Sequence, residues 1–277
     1  MAYFRDRVSH IIIKHKMKKY IIQFSFIIIY FIFNNICYSQ TGIIKYEMYF
    51  PNVSQPRMEN ASLIFNDTLS VFKWKNKANI SKVNTNSDKI RIVIGSNDTI
   101  GNYVYRNYSN KKIIFRNRSS KFFKAKVVND DWVNIDWKII NKFKTIDKYK
   151  CQKAVGNFRG RIYTAWFTEE IPLSYGPWKL FGLPGLIIEA KDKSGEFQIK
   201  MTSIKYPAPV KSKDFNISYD GDIINIREYA KFLKEIPKIR ERKINAMLGR
   251  SSNPRKFKSK SNFIEKIFEW EIEKKKN

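Results

Sequence analysis

Histidine and cysteine are nearly absent from this 277-residue chain, two of each, and glycine (11) and proline (9) are sparse. Both histidines, His10 and His15, lie in the first sixteen residues, ahead of a segment that reads as an export signal. Met17-Lys18-Lys19 is a short basic start, Tyr20 to Phe33 is an almost uninterrupted apolar run, and Cys37-Tyr38-Ser39 offers small residues where a signal peptidase reads before Gln40. The run is shorter than the roughly twenty residues that cross a bilayer and ends in Asn34-Asn35, which argues against a membrane anchor. Ile36 ahead of Cys37 is too bulky for a lipid-attachment box. Residues 1–16 therefore read as an upstream start and 17–39 as a signal peptide. The expected mature chain is Gln40 to Asn277, located in the periplasm or outside the cell and not in the cytoplasm.

These absences exclude chemistry. A mature chain without imidazole builds no Ser-His-Asp triad, no Cys-His pair, no histidine general base and no conventional zinc site. No cofactor and no metal is expected. The enzymatic route left open is carboxylate acid–base hydrolysis, with Asp130-Asp131, Asp136, Glu169-Glu170 and Glu189 with Asp192 as candidate pairs. Surface carboxylates offsetting positive charge explain the same residues more simply, so the expectation is binding without catalysis. Cys151 is left as a solitary thiol in an oxidising compartment. Either it packs inside as a small hydrophobe beside Tyr149, Ala154 and Val155, or it forms a mixed disulfide with a partner.

Negative charge is also scarce: 25 Asp and Glu against 53 Lys and Arg give a formal charge of +28. Such an excess ordinarily points to nucleic acid, anionic lipid or an acidic polymer. Here the lysines are spread along the chain, and Lys, Ile, Asn, Phe and Tyr are used heavily together, the composition an AT-rich genome produces. Nucleic acid is not expected as a partner. Weak contact with an anionic membrane or an acidic glycan is consistent with the charge.

What is abundant is strand signal. Ile43 to Phe50, Ala61 to Phe65, Ser70 to Lys75, Ile90 to Ile94, Thr99 to Tyr105, Lys111 to Asn117 and Lys121 to Val127 are short runs rich in β-branched and aromatic residues, separated by Asn, Ser, Asp and Gly. Trp132 to Ile139 alternates cleanly, and Phe143 to Tyr149, Gly160 to Phe167, Leu186 to Ala190 and Glu196 to Tyr206 follow. Even spacing without an intervening helical pattern predicts a mainly β domain over 40–206, one strongly curved or partly closed antiparallel sheet. After Pro207 the character changes to a basic helical extension, 207–277. Asn225 to Leu248 is amphipathic and interrupted at Pro237, Gly249 to Lys260 is a basic linker, and Asn262 to Glu273 forms a second short helical pattern. These helices either pack on the sheet or lie beside it.

One block stands out from the lysine-rich background. Tyr149 to Ala154 leads into Phe158-Arg159-Gly160-Arg161, then Tyr163-Thr164-Ala165-Trp166-Phe167-Thr168, then the hexapeptide Gly182-Leu183-Pro184-Gly185-Leu186-Ile187. Pro184 presets φ for a turn and Gly185 supplies the positive φ of a type II turn, after which an apolar strand begins. Three ordered motifs within about forty-five residues resemble the GLPGLI family of secreted Bacteroidetes proteins, over Gln40 to Tyr206. The resemblance implies an exported envelope protein with no established activity, often encoded beside TonB-dependent transporters, and hence docking on an outer-membrane assembly. Asp67-Thr68 and Asp98-Thr99 resemble the O-glycosylation sites of such proteins.

The candidate binding residues are Arg159, Arg161, Trp166, Trp178 and Phe181, because aromatic and arginine side chains anchor interfaces. Arg159 and Arg161 share a strand face and either bind an anion or pair with Glu169 or Glu189. Two partners follow from two readings: an envelope protein, or a lipid or other hydrophobic ligand held in a cavity of the curved sheet.

Overall fold

The computed structural model describes Lys18 and residues 40–51, 56–75, 97–249, 257–258 and 263–274. The upstream-start and signal-peptide readings therefore lie outside the described residues, Lys18 apart. So do the strand expected over Ile90 to Ile94 and most of the basic linker.

The described chain forms a mainly β structure, one large open and curved sheet of twelve strands. In chain order these are β1 Gly42–Phe50, β2 Arg57–Phe65, β3 Leu69–Trp74, β4 Asn102–Asn107, β5 Lys112–Asn117, β6 Lys126–Asp130, β7 Trp137–Ile146, β8 Tyr149–Phe158, β9 Arg161–Thr168, β10 Leu186–Asp192, β11 Gln198–Lys205 and β12 Asp222–Asn225. Their order across the sheet is β12-β6-β5-β4-β3-β2-β1-β11-β10-β9-β8-β7. All neighbours are antiparallel except β12 with β6, which are parallel.

The connection from β6 to β7 fixes the curvature. These strands stand ten places apart in the sheet, which at strand spacing would be about 48 Å if the sheet were flat. Only residues 131–136 join them, and seven Cα steps reach about 25 Å at most. The two ends must therefore curl toward each other. The turn after β8 confirms it, since Arg159 Nη2 lies 2.6 Å from Asp130 Oδ1 at the end of β6.

Strand alternation sorts the apolar residues onto two faces. Ile44, Tyr46, Met48 and Phe50 of β1, Leu63 and Phe65 of β2, and Tyr163, Ala165 and Phe167 of β9 point into the main core. Val71, Tyr103, Ile114 and Val127 point the other way and are covered by Phe215, so β3 to β6 are buried on both faces. That covering segment is pinned by Tyr103 Oη donating to Ser218 O at 2.6 Å and by buried Arg116, which donates to Asp220 O and pairs with Asp98. Burial pushes the Asp98 carboxyl up, but the Arg116 guanidinium and the N–H groups of Gly101 and Ser119 hold it well below the usual range.

Helix α1 spans Ile226–Leu248, capped by Asn225, whose side chain accepts from Glu228 N. Its apolar stripe of Ile226, Tyr229, Ala230, Leu233 and Ile236 packs into the main core, with Tyr229 edge-on to Phe115 at 4.9 Å. The expected interruption at Pro237 does not occur, and the helix runs through it. The second helical pattern shrinks to α2, Glu269–Glu273. Residues 263–268 are irregular instead, because backbone groups a helix would pair internally bond to the β8–β9 turn. Arg161 takes the carbonyls of Phe263 and Ile264, and Arg159 O accepts from Lys266 N and Ile267 N. No helix among the described residues is long and apolar enough to cross a membrane.

Candidate functional site

The block that stands out in sequence becomes the filling of the curved sheet. After β9 the chain leaves the sheet at Glu169, runs through its interior and rejoins at Leu186. Ile171, Leu173, Tyr175, Trp178, Leu180, Phe181 and Leu183 along this loop are all buried. Trp178 is 4% exposed and packs against Phe158, Tyr163 and Phe197. The turn chemistry differs from the type II expectation. The positive φ falls at Gly182 (92°) and not at Gly185. Gly185 is required for closeness, since a Cβ there would sit 2.1 Å from Thr168 O.

Against this loop stands a buried cluster of charges. Arg159 and Gly160 form the β8–β9 turn, both with positive φ (46° and 77°), as a two-residue hairpin of the primed type needs. The turn aims the Arg159 guanidinium inward, where it holds both Asp130 oxygens, reaches Glu269 Oε1 at 3.2 Å and pairs with Glu265. Lys179 Nζ lies 2.7 Å from both Asp130 and Glu265, and 3.5 Å above the Phe115 ring. Burial alone would lower the Arg159 pKa, but Glu265 and Asp130 raise it further than burial lowers it, so the side chain stays charged. Asp130 is the counterpart: burial pushes its carboxyl up, while Lys179 and Arg159 hold it below the usual range. A buried network of this kind survives only when each charge has partners.

Arg106 of β4 is the exception. It is fully buried, its Nη2 donates to Trp178 O, and its guanidinium lies 5.0 Å over the Phe181 ring. Among the described residues its Nε and Nη1 have no hydrogen-bond partner within 3.5 Å, and neither has the buried hydroxyl of Tyr163. Burial lowers the Arg106 pKa, while the neighbouring Tyr108 hydroxyl, by its charge and by a side-chain hydrogen bond, and Asp130 act in the opposite sense.

The strap 263–274 closes the cluster. Besides Glu265 and the backbone bonds to the β8–β9 turn, it buries Phe268 and stacks Trp270 on it at 5.0 Å. Lys266 pairs with Glu196, Lys234 of α1 with Glu271, and Arg227 of α1 lies 4.6 Å over Trp270. Arg161 pairs with Asp192 at 2.5 Å and Glu196 at 2.9 Å. Burial pushes the Asp192 carboxyl up, and the Ser194 hydroxyl, Phe197 N–H and Arg161 bring it down overall.

Arg159, Arg161, Trp178 and Phe181 are thus all buried, the two arginines both holding the strap and the two aromatics filling the interior loop. The partners of the two arginines are Asp130, Glu265, Glu269, Asp192 and Glu196, not Glu169 or Glu189. Trp166 stands apart, half-buried, with Lys144 Nζ 4.5 Å over its ring. Cys151 is a buried free thiol whose pKa burial pushes up to about 11. Of the carboxylates proposed for hydrolysis, Glu189 pairs with Lys144, Glu170 accepts from Lys150 N, and Asp136 and Glu169 are exposed. An open groove of 560 Å³ on the outer face, lined by Lys45, Glu47, Ser62, Lys73 and Trp74 among others, contains none of these four. Among the described residues no group of three or more His, Cys, Asp or Glu side chains could hold a metal.

Sequence reasoning missed Arg106, Lys179 and Glu265, and read Asp130 with Asp131 as a candidate acid–base pair or as surface charge, not as the centre of a buried ion network. Arg106 left a weak signal: it shares an inward phase with the core residue Val104, where a charge needs a reason.

A family model described as "Protein of unknown function (Porph_ging)" matches residues 158–189, from the β8–β9 turn through the interior loop to β10. No curated protein matches the chain. Among solved structures, PNGF-II overlaps at a TM-score of 0.47 and 16% identity, over 70% of this chain and 33% of that one, so the chain spans about a third of its length. A DUF1329 family protein from Desulfovibrio piger overlaps at 0.23 and 10% identity, over 66% and 92%. A LolA superfamily protein from Nitrosomonas europaea overlaps at 0.27 and 9% identity, over 65% and 91%.

Proposed function

We propose that this is an exported, non-enzymatic binding protein of the bacterial envelope, and that it carries a hydrophobic ligand inside its curled sheet. The observation that carries the reading is how the interior is closed. Among the described residues no strand ladder joins β6 and β12 to β7. The gap is covered by α1, the strap and a group of charge pairs, so the interior opens without breaking a β-ladder. Behind that cover the walls are aliphatic and aromatic, the lining that apolar ligand sites use. The space is filled by Tyr175, Trp178, Phe181 and Leu183, so a ligand enters by displacing the interior loop, the strap or both. Native mass spectrometry on mature protein taken gently from its own envelope fraction tests this. A small adduct released on denaturation is expected. A bare protein that also fails to enhance a fluorescent fatty-acid probe would sink the reading.

A second reading, docking on an envelope protein such as a TonB-dependent transporter assembly, is favoured by the far end of the sheet. β7 is an edge strand of ten residues, pairing only with β8, and its Ile139 and Phe143 are 45% and 51% exposed. Edge strands accept a partner strand by backbone pairing. A co-purifying envelope protein lost on Phe143→Lys, with no small adduct, would favour docking over carriage.

A further inference from the structure

We propose that the carried ligand is an amphiphile with an anionic head, carboxylate or phosphate, and that the head binds the cluster of Arg106, Arg159 and Lys179 at the place now taken by Glu265. The inference rests on the carrier reading and names its ligand class.

The charges of the cluster divide by origin. The three cations and Asp130 belong to the sheet, its turn and the interior loop, whereas Glu265 and Glu269 arrive on the strap. With the strap lifted, three buried cations face one carboxylate, an imbalance of two positive charges inside an apolar wall. Isolated buried charge of that kind recruits an anion or forces the site apart. The strap also has the form of such a ligand. Glu265 sits between Arg159 and Lys179, and three residues on Phe268 is buried at 2% exposure, a charged head beside an apolar body. Phe115, Phe158, Trp178 and Phe181 surround the cations through their ring faces or edges, offering an apolar continuation beyond the head.

The second, independent observation is Arg106. Even with the strap seated, two of its three guanidinium nitrogens have no acceptor within 3.5 Å among the described residues, the Tyr108 hydroxyl being the polar neighbour, although the side chain is completely buried and its third nitrogen donates to Trp178 O. The nearby Tyr163 hydroxyl, on a ring 6.5 Å from Trp178, is likewise unpartnered. An oxygen-rich head supplies the acceptors that these donors lack, and guanidinium is suited to carboxylate and phosphate alike.

The test uses the whole mature chain and three probes of equal chain length: dodecanoate, dodecyl phosphate and dodecanol, each titrated against a neutral environment-sensitive dye below its micellar concentration. At least one anionic probe is expected to compete at a concentration about tenfold lower than the alcohol, since a charged hydrogen-bonded contact is worth at least that factor. The tighter of the two anions identifies the head. Arg106→Met should erase the preference and leave dodecanol unchanged, while Glu265→Gln should strengthen anion binding by removing the internal competitor. If Arg106→Met fails to fold, Glu265→Gln decides, and unchanged or weaker anion binding there overturns the proposal. Equal competition by all three probes overturns the head-group inference and leaves the carrier intact. Competition by none overturns both.

Discussion

From β6 round to β7 each strand is laced to the next by backbone hydrogen bonds, and its inner face is mostly apolar, with Ile44, Leu63, Phe65 and Phe167 wholly buried. Between the two ends of the same sheet the closure is of another kind: Asp130 with Arg159 and Lys179, Glu265 with both, Glu269 with Arg159, and a strap lying over them. Opening the laced wall would sever a whole ladder and expose apolar surface. Lifting the strap separates a few charge pairs that water can resolvate and exposes Phe268 while leaving every ladder intact, and so belongs among the lower-energy openings of a native protein. A curved sheet can therefore be rigid around most of its girth and yielding along one line.

The sharpest way to break that contrast is Arg159→Ala. It leaves Asp130 and Glu265 buried without their main cation, and a loss of about 3–5 kcal/mol in urea unfolding is expected. A loss below about 1 kcal/mol would show the seam to be solvated and slack. Leu63→Ala in the wall should cost about 2–5 kcal/mol through its cavity. Hydrogen exchange over 263–274 should stay unchanged in that variant, and faster exchange there would mean that wall and strap open as one unit. Acid should act on the seam first. Asp130 and Asp192 have folded pKa values below the unfolded value of about 3.9. The stability they contribute is complete above that value and is lost as pH falls through it toward the folded values. Exchange in the strap is expected to accelerate below about pH 4, ahead of β1 and β2; simultaneous loss would contradict the division.

Gly160→Ala sharpens the contrast on a smaller scale. It places a side chain at φ 77° and a Cβ 2.8 Å from Ile267 N, which should cost about 1–2 kcal/mol and loosen the strap to limited proteolysis while the sheet persists. The smallest effect expected is at Cys151. With its pKa raised to about 11, the thiol is protonated at neutral pH, so iodoacetamide should leave native protein unlabelled and react after unfolding. Stoichiometric labelling of the native form would place Cys151 at a mobile surface.

The laced wall was legible in sequence because period-two alternation is a local signal. β1, β5, β9 and β11 fall within a few residues of expectation, and the curved antiparallel sheet follows from their spacing. Alternation misled at Trp132 to Ile139: residues 131–136 cross between the ends of the sheet, and β7 begins only at Trp137. β12 escaped notice because four residues paired in parallel to β6 leave no periodic trace. The seam was illegible for a different reason. Arg159, Lys179 and Glu265 are ordinary charged residues in sequence, and only curling brings residues 106 positions apart into one ion pair. The strap looked helical because Ile264, Ile267 and Phe268 recur at helical spacing; tertiary bonds from Arg159 and Arg161 overrode that propensity.

The six residues that cross from β6 to β7 set an upper bound on aperture. Whatever lets go at the seam, this tether still ties the end of β6 to the start of β7, and at that end the mouth cannot gape wider than the roughly 25 Å that such a tether spans. It works as a purse-string, admitting one or a few acyl chains side by side and turning away a folded globule, so the size of any cargo is limited by chain length before chemistry selects among those that fit.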